Sequence, residues 1–175
     1  MIAKNDPLFR AKEYADYQTF VSITTPTLKD GWTVTPTTDF SLLEDYGDYD
    51  ATMSKDDKLK YLVELKGREA YKSTDFDTFL IDSSKIERMR EKMTDGVGGM
   101  VVEMFDCEGI AYIWTFGKKT EFNTILKNAE RNTTRQMGKT KKLMVELPHA
   151  DAHVRHFPIG EHKRNMEYAK QQFEI

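Results

Sequence analysis

The run YLVELKGRE, Tyr61 to Glu69, places two charges where apolar side chains are expected. Side chains alternate along a strand, so Leu62, Glu64 and Lys66 share one face while Tyr61, Val63 and Leu65 share the other. A strand that opens Tyr-Leu-Val-Glu-Leu should be largely buried, and there a carboxylate and an ammonium are expensive to desolvate. Their opposite signs at positions i and i+2 offset part of that cost. Another acid, Asp50, stands upstream in YGDYDATM, after a Gly turn. Asp50, Glu64 and Lys66 form the candidate constellation.

The wider distribution of charge points the same way. From Asp39 to Asp57 the acids are Asp39, Glu44, Asp45, Asp48, Asp50, Asp56 and Asp57, against Lys55 alone. From Lys118 to Lys142 the bases are Lys118, Lys119, Lys127, Arg131, Arg135, Lys139, Lys141 and Lys142, against Glu121 and Glu130. An acidic and a basic segment in one domain fit a metal site beside a phosphate-binding surface; two solvated faces are the plainer alternative.

These residues need elements to hold them. Asp6-Pro7 predicts a helix start, an acid at the N-cap followed by proline at the first helical position. At 100° per residue Phe9, Glu13, Asp16, Tyr17 and Phe20 fall on one arc of that helix, so Glu13 either rims an aromatic face or is aimed at Asp50 and Glu64. Gly31 to Thr35 and Tyr49 to Met53 read as the first two strands, Lys60 to Gly67 as the third. Ser84 and Glu87 suggest a capping box for a helix reaching about Thr94. Met100 to Phe105 and Ile110 to Phe116 suggest a hairpin. Phe122, Ile125, Leu126 and Ala129 fit a short amphipathic helix, Leu143 to Leu147 a late strand, and Glu161 to Phe173 a helical tail. The order is α-β-β-β-α-β-β with additions, an α/β (α+β) layered class with a mixed central sheet flanked by helices.

At 175 residues, with 39% hydrophobic and 31% charged positions, the chain is expected to form one domain with a sizeable core. The lone cysteine, Cys107, reads as a small buried strand residue and fits a reducing compartment. The N-terminus has no apolar signal region and no window suits a spanning helix, so a cytoplasmic protein without a membrane partner is expected. A net charge of −3 excludes a generic nucleic-acid coat.

Asp50, then Glu64-Leu65-Lys66 on the next strand, after a helix carrying Glu13, resembles the PD-(D/E)XK nuclease superfamily. The family core is αβββαβ, the restriction-endonuclease-like fold, with the lone acid on the second strand and the (D/E)XK on the third. The likeness covers about residues 6–116, leaving 117–175 as additions. The run Phe79 to Met93 also looks like the crossover helix of small phage and mobile-element members. One position departs from the pattern: Tyr49, not proline, precedes Asp50.

The resemblance implies a metal-dependent nuclease acting on DNA, an endonuclease or a Holliday-junction-resolvase-like enzyme, in a family whose members often work as homodimers. Asp50, Glu64 and the Leu65 carbonyl would be ligands of Mg²⁺ or Mn²⁺. Lys66, its charge favoured by the nearby acids, would hold the attacking water and phosphate, with Glu13 orienting a metal-bound water. Lys85, Lys118, Lys119, Arg131, Arg135 and Lys139 are the candidate nucleic-acid contacts. Two other readings stand beside this one. One is a strand-edge ion pair between Glu64 and Lys66; the other is a catalytically inactive nucleic-acid-binding or assembly protein on the same fold.

Other signals fail on context. Gly138-Lys139-Thr140 lacks the first glycine of a phosphate loop and a strand leading into it. Gly96 to Gly99 opens onto a strand instead of a helix. His149, His153 and His156 are flanked by Pro148 and Pro158 and have no cysteine partner.

Overall fold

Asp6 caps the first helix, its carboxylate accepting from the Leu8 amide at 2.8 Å. Helix α1 then runs Pro7–Thr24. The computed structural model describes residues 6–26, 28–40, 47–130 and 139–175. Strands β1 (Trp32–Pro36), β2 (Ala51–Lys55) and β3 (Lys58–Arg68) form an antiparallel meander. Asp56 and Asp57 turn the chain between β2 and β3 with φ of 50° and 63°, a left-handed conformation that short acidic residues tolerate better than most.

After β3 the chain forms β4 (Thr78–Asp82), helix α2 (Ser83–Lys92), β5 (Gly98–Phe105) and β6 (Ile110–Phe116). β5 lies parallel to β3, with Glu64 opposite Val101 and Lys66 opposite Glu103. β6 returns antiparallel, as the hairpin expectation required. β7 (Thr124–Glu130), β8 (Lys139–Pro148), β9 (His153–His156) and α3 (Glu161–Gln172) follow. The main sheet has the order β1-β2-β3-β5-β6-β9; a smaller antiparallel sheet has the order β4-β8-β7. The class is α+β with a mixed six-stranded sheet and three helices. No helix among the described residues is long and apolar enough to cross a membrane.

The alternation on β3 divides the core. Val63 and Leu65 face the layer of Phe20, Ile23, Val102 and Met104, beneath α1. Leu62 faces the other way, onto Ile86 and Met89 of α2 and Phe79, Ile81, Val145 and Leu147 of the small sheet. Each such side chain, fully buried, contributes roughly 1.5–3 kcal/mol. Glu64 and Lys66 therefore point toward α2, and the site is built where the two layers meet.

Four sequence expectations change. Helix α2 is capped by Asp82, which accepts from the Ser84 amide at 3.0 Å, not by a Ser84–Glu87 box; Glu87 instead pairs with Arg90 at 2.9 Å. The segment read as a short amphipathic helix is β7, because its backbone pairs with β8 from Thr124↔Val145 to Glu130↔Lys139. β2 begins at Ala51 rather than Tyr49. Cys107 is exposed in the β5–β6 turn and donates to the Tyr71 carbonyl at 3.1 Å.

Candidate metal centre

Asp50 stands one residue before β2, yet the sheet fixes it. Its amide donates to the Val63 carbonyl at 2.8 Å and its own carbonyl accepts from the Thr37 amide at 3.0 Å. The carboxylate turns onto β3, where Oδ2 accepts from the Leu65 amide at 2.7 Å. Asp50 is thereby tied to the strand that carries Glu64 and to the residue between Glu64 and Lys66. Burial and the Asp16 carboxylate push its pKa up, against Lys85 and the Leu65 hydrogen bond.

Glu64 is 7% exposed. One carboxylate oxygen pairs with the Lys85 ammonium from the first turn of α2. The other, Oε2, is buried and among the described residues meets no N–H or O–H donor; its neighbour is the Asp50 carboxyl, with which Glu64 can share a proton. Burial first and the Asp50 charge second push Glu64 up to about 8, with Lys85 opposing. Lys85 responds in kind: burial pulls it down, but the Glu64 and Asp50 carboxylates outweigh that and raise it. Glu13 of α1 is a third acid in range, pushed up to about 7 by burial and by Asp50, while its carboxylate holds Arg10 at 3.1 Å.

Lys66 departs from expectation. Among the described residues it makes no ion pair, and its cross-strand neighbour Glu103 is taken by Arg68 at 3.0 Å and His149 at 2.9 Å. Burial lowers Lys66 to about 8, and the positive charges of Lys12 and Arg68 push in the same direction. Glu64 and Asp50 favour the charge on Lys85, whereas on Lys66 the help of Asp16 is outweighed by burial and the neighbouring cations. The alternative reading, a strand-edge pair of Glu64 with Lys66, gives way to a pair between strand and helix, Glu64 with Lys85.

A second buried cluster, which the sequence did not signal, clamps this strand from the opposite face. Asp16 accepts from the Gly67 amide at 3.0 Å, from Lys12 at 2.8 Å and from His162 Nε2 at 2.7 Å. His162, 1% exposed at the start of α3, also contacts Glu69 through Nδ1 at 2.8 Å. Burial alone would raise Asp16, but Lys12 and His162 hold it at about 2. A Lys-x-x-x-Asp spacing was visible at Lys12 and Asp16; nothing marked His162.

The candidate nucleic-acid contacts are scattered. Lys85 is inside the centre. Lys118 and Lys119 lie exposed after β6, Lys118 reaching the Met93 carbonyl at 3.2 Å. Lys139 opens β8, and Arg131 and Arg135 lie outside the described residues.

The donor set suits a hard divalent cation. Two carboxylates, one with an orphaned buried oxygen, converge with a third acid nearby, and like charges gathered in a buried place are relieved by a bound cation. Among the described residues no group of three or more His, Cys, Asp or Glu side chains is arranged around one point. The chain matches no family model, no curated protein and no solved structure.

Proposed function

We propose that the chain is a metal-dependent nuclease that hydrolyses phosphodiester bonds in DNA, built on a PD-(D/E)XK, restriction-endonuclease-like core. The observation that carries this reading is the buried Asp50–Glu64 carboxyl pair, in which Glu64 Oε2 meets no N–H or O–H donor among the described residues and faces Asp50. It is supported by the path of the chain: a helix, a three-strand meander, then β4 of the small sheet and helix α2 as the crossover, and a strand parallel to the third. Asp50, Glu64 and the Leu65 carbonyl would hold Mg²⁺ or Mn²⁺. Such an ion lowers the pKa of a bound water and offsets charge developing on the phosphate.

The chain's own groups then divide the work. Lys66, lowered to about 8, is placed to orient the attacking water and accept its proton near neutral pH. Glu13, near 7, can exchange protons with solvent in the same range. Lys85, once Glu64 turns to the cation, is positioned to meet a substrate phosphate. The substrate class that fits is DNA cut internally or at a branch.

A non-catalytic nucleic-acid-binding protein is the second reading, and one observation favours it. Lys85 already neutralises one oxygen of Glu64, as a lysine does when it stands in for a lost metal. The two readings part in one experiment. Purified full-length chain is incubated with supercoiled, branched and single-stranded DNA in Mg²⁺ or Mn²⁺, beside Asp50→Asn, Glu64→Gln and Lys66→Ala. The nuclease reading expects cleavage that falls at least about 100-fold in each variant. No cleavage of any substrate with either metal, or cleavage indifferent to these changes, sinks it.

A further inference from the structure

Strand β3 ends on Arg68, on the same face as Glu64 and Lys66. Arg68 Nε donates to Glu103 at 3.0 Å; Glu103 is 1% exposed, and its other oxygen is on His149 Nε2 at 2.9 Å. His149 in turn stacks on Tyr112, with ring centroids 4.1 Å apart and 13° between the planes. The guanidinium is thus pinned from one edge by a buried, fully occupied carboxylate. Among the described residues its two terminal nitrogens have no hydrogen-bond or ion-pair partner. An arginine fixed in this way presents the planar fork that takes a phosphate through two bonds.

Beside that fork stand two rings left in water. Tyr71 is 47% and Phe76 44% exposed, and they meet edge to face at 5.6 Å. The guanidinium carbon of Arg68 lies 6.0 Å from the Tyr71 ring centroid. The connection that carries the rings is tied down: the Tyr71 carbonyl accepts from Cys107 at 3.1 Å, the Ser73 amide donates to Glu108 at 2.9 Å, and the Lys72 amide donates to Asp75 at 2.8 Å. The rings are therefore displayed on an anchored loop.

Arg68 follows Glu64 by four residues, about 13 Å along a strand. That distance spans a few nucleotides of backbone, fewer for an extended unpaired strand than the roughly four of a duplex strand at about 3.4 Å rise. We infer that Arg68, Tyr71 and Phe76 form a subsite for an unpaired nucleotide, its phosphate on the Arg68 guanidinium and its base against the two rings, a few nucleotides from the bond that is cut. The inference rests on the reading of the Asp50–Glu64 centre as one that acts on nucleic acid. Every base has a π face, so the subsite selects unpaired over paired strands and not one sequence over another.

The test separates binding from cleavage. The full chain in EDTA is titrated into a DNA oligonucleotide carrying 2-aminopurine in a short single-stranded branch, and into a fully paired duplex of the same sequence. The expected result is tighter binding and stronger fluorescence quenching on the branched probe. Tyr71→Ala and Phe76→Ala should each weaken that binding by about tenfold, with the duplex changed less than about twofold. Both rings are exposed, so the variants should melt as the parent does. Equal affinity of the parent for both probes, or ring variants that bind the branch as the parent does, overturns the subsite. Branch binding that needs the rings, in a protein that cuts nothing, overturns the nuclease reading and leaves the subsite standing.

Discussion

A buried carboxylate oxygen with no donor is an uncommon thing for a folded chain to keep, because its desolvation is not returned by any bond. Glu64 keeps one. If a divalent cation fills that place, Mg²⁺ at ten times its dissociation constant should stabilise the protein by about 1.4 kcal/mol, roughly 4 °C in melting temperature at this length. Glu64→Gln should melt at the same temperature with and without Mg²⁺. Differential scanning calorimetry with and without EDTA measures it, and an equal shift in both proteins would place the cation elsewhere. At this scale the sequence was legible where the chemistry is local. Alternation on β3 put Glu64 and Lys66 on one face, the acid after the Gly turn offered Asp50, and the helical arc offered Glu13. It misjudged the charge on Lys66, because the groups that act on that side chain include Lys12, which arrives from another element. His162 left no trace, since its partner Asp16 is 146 residues away.

Among the elements, the junction of α1, β3 and α3 is the least forgiving. A Cβ on Gly67 would lie 2.3 Å from Asp16 Oδ1 and 2.4 Å from His162 Nε2. Gly67→Ala is therefore expected to lose more than about 2 kcal/mol, read by urea denaturation, with cleavage lowered as the neighbouring Lys66 shifts. The same junction sets a pH dependence. Asp16 is held at about 2, below its ordinary 3.8, so its contribution of about 2 kcal/mol is present above pH 4 and lost as pH falls toward 2. His162 is raised by Asp16 and Glu69 against burial, so its contribution is full below about 6.5 and lost as pH climbs through the folded value. Stability should decline on both limbs, and His162→Gln should flatten the alkaline one; an unchanged alkaline limb would remove His162 from the account. Much of the element order was readable because apolar periods and turns are local, although β4 before α2 and β9 before α3 add strands to the expected order. β7 was not, because Phe122, Ile125, Leu126 and Ala129 satisfy a helical period while the partner strand that overrules it lies beyond residue 138.

For the molecule as a whole, net charge of −3 leaves any DNA affinity, as proposed, to local patches. Lys118 and Lys119 are exposed, and Lys118 donates to the carbonyl of Met93, the residue that follows α2. Replacing both with alanine should lower affinity by a similar factor for all sequences and reduce the slope of log affinity against log salt by about 1 to 2. Unchanged slope in a filter-binding titration would exclude them from the interface.

The clamp on Gly67 has a consequence in time as well as in space. Contacts such as Asp16–His162 and Thr19–Asn165 close a stretch of 146 residues, while the meander and the β5–β6 hairpin close over a few. Long closures come late in folding. On the ribosome, where synthesis proceeds at about 5–20 residues per second, the strand bearing Glu64 and Lys66 is complete many seconds before residue 162 exists to brace it. The Asp50–Glu64 centre thus gains its last support only when α3 has been made, and a nascent protein in that interval carries the acids without the brace.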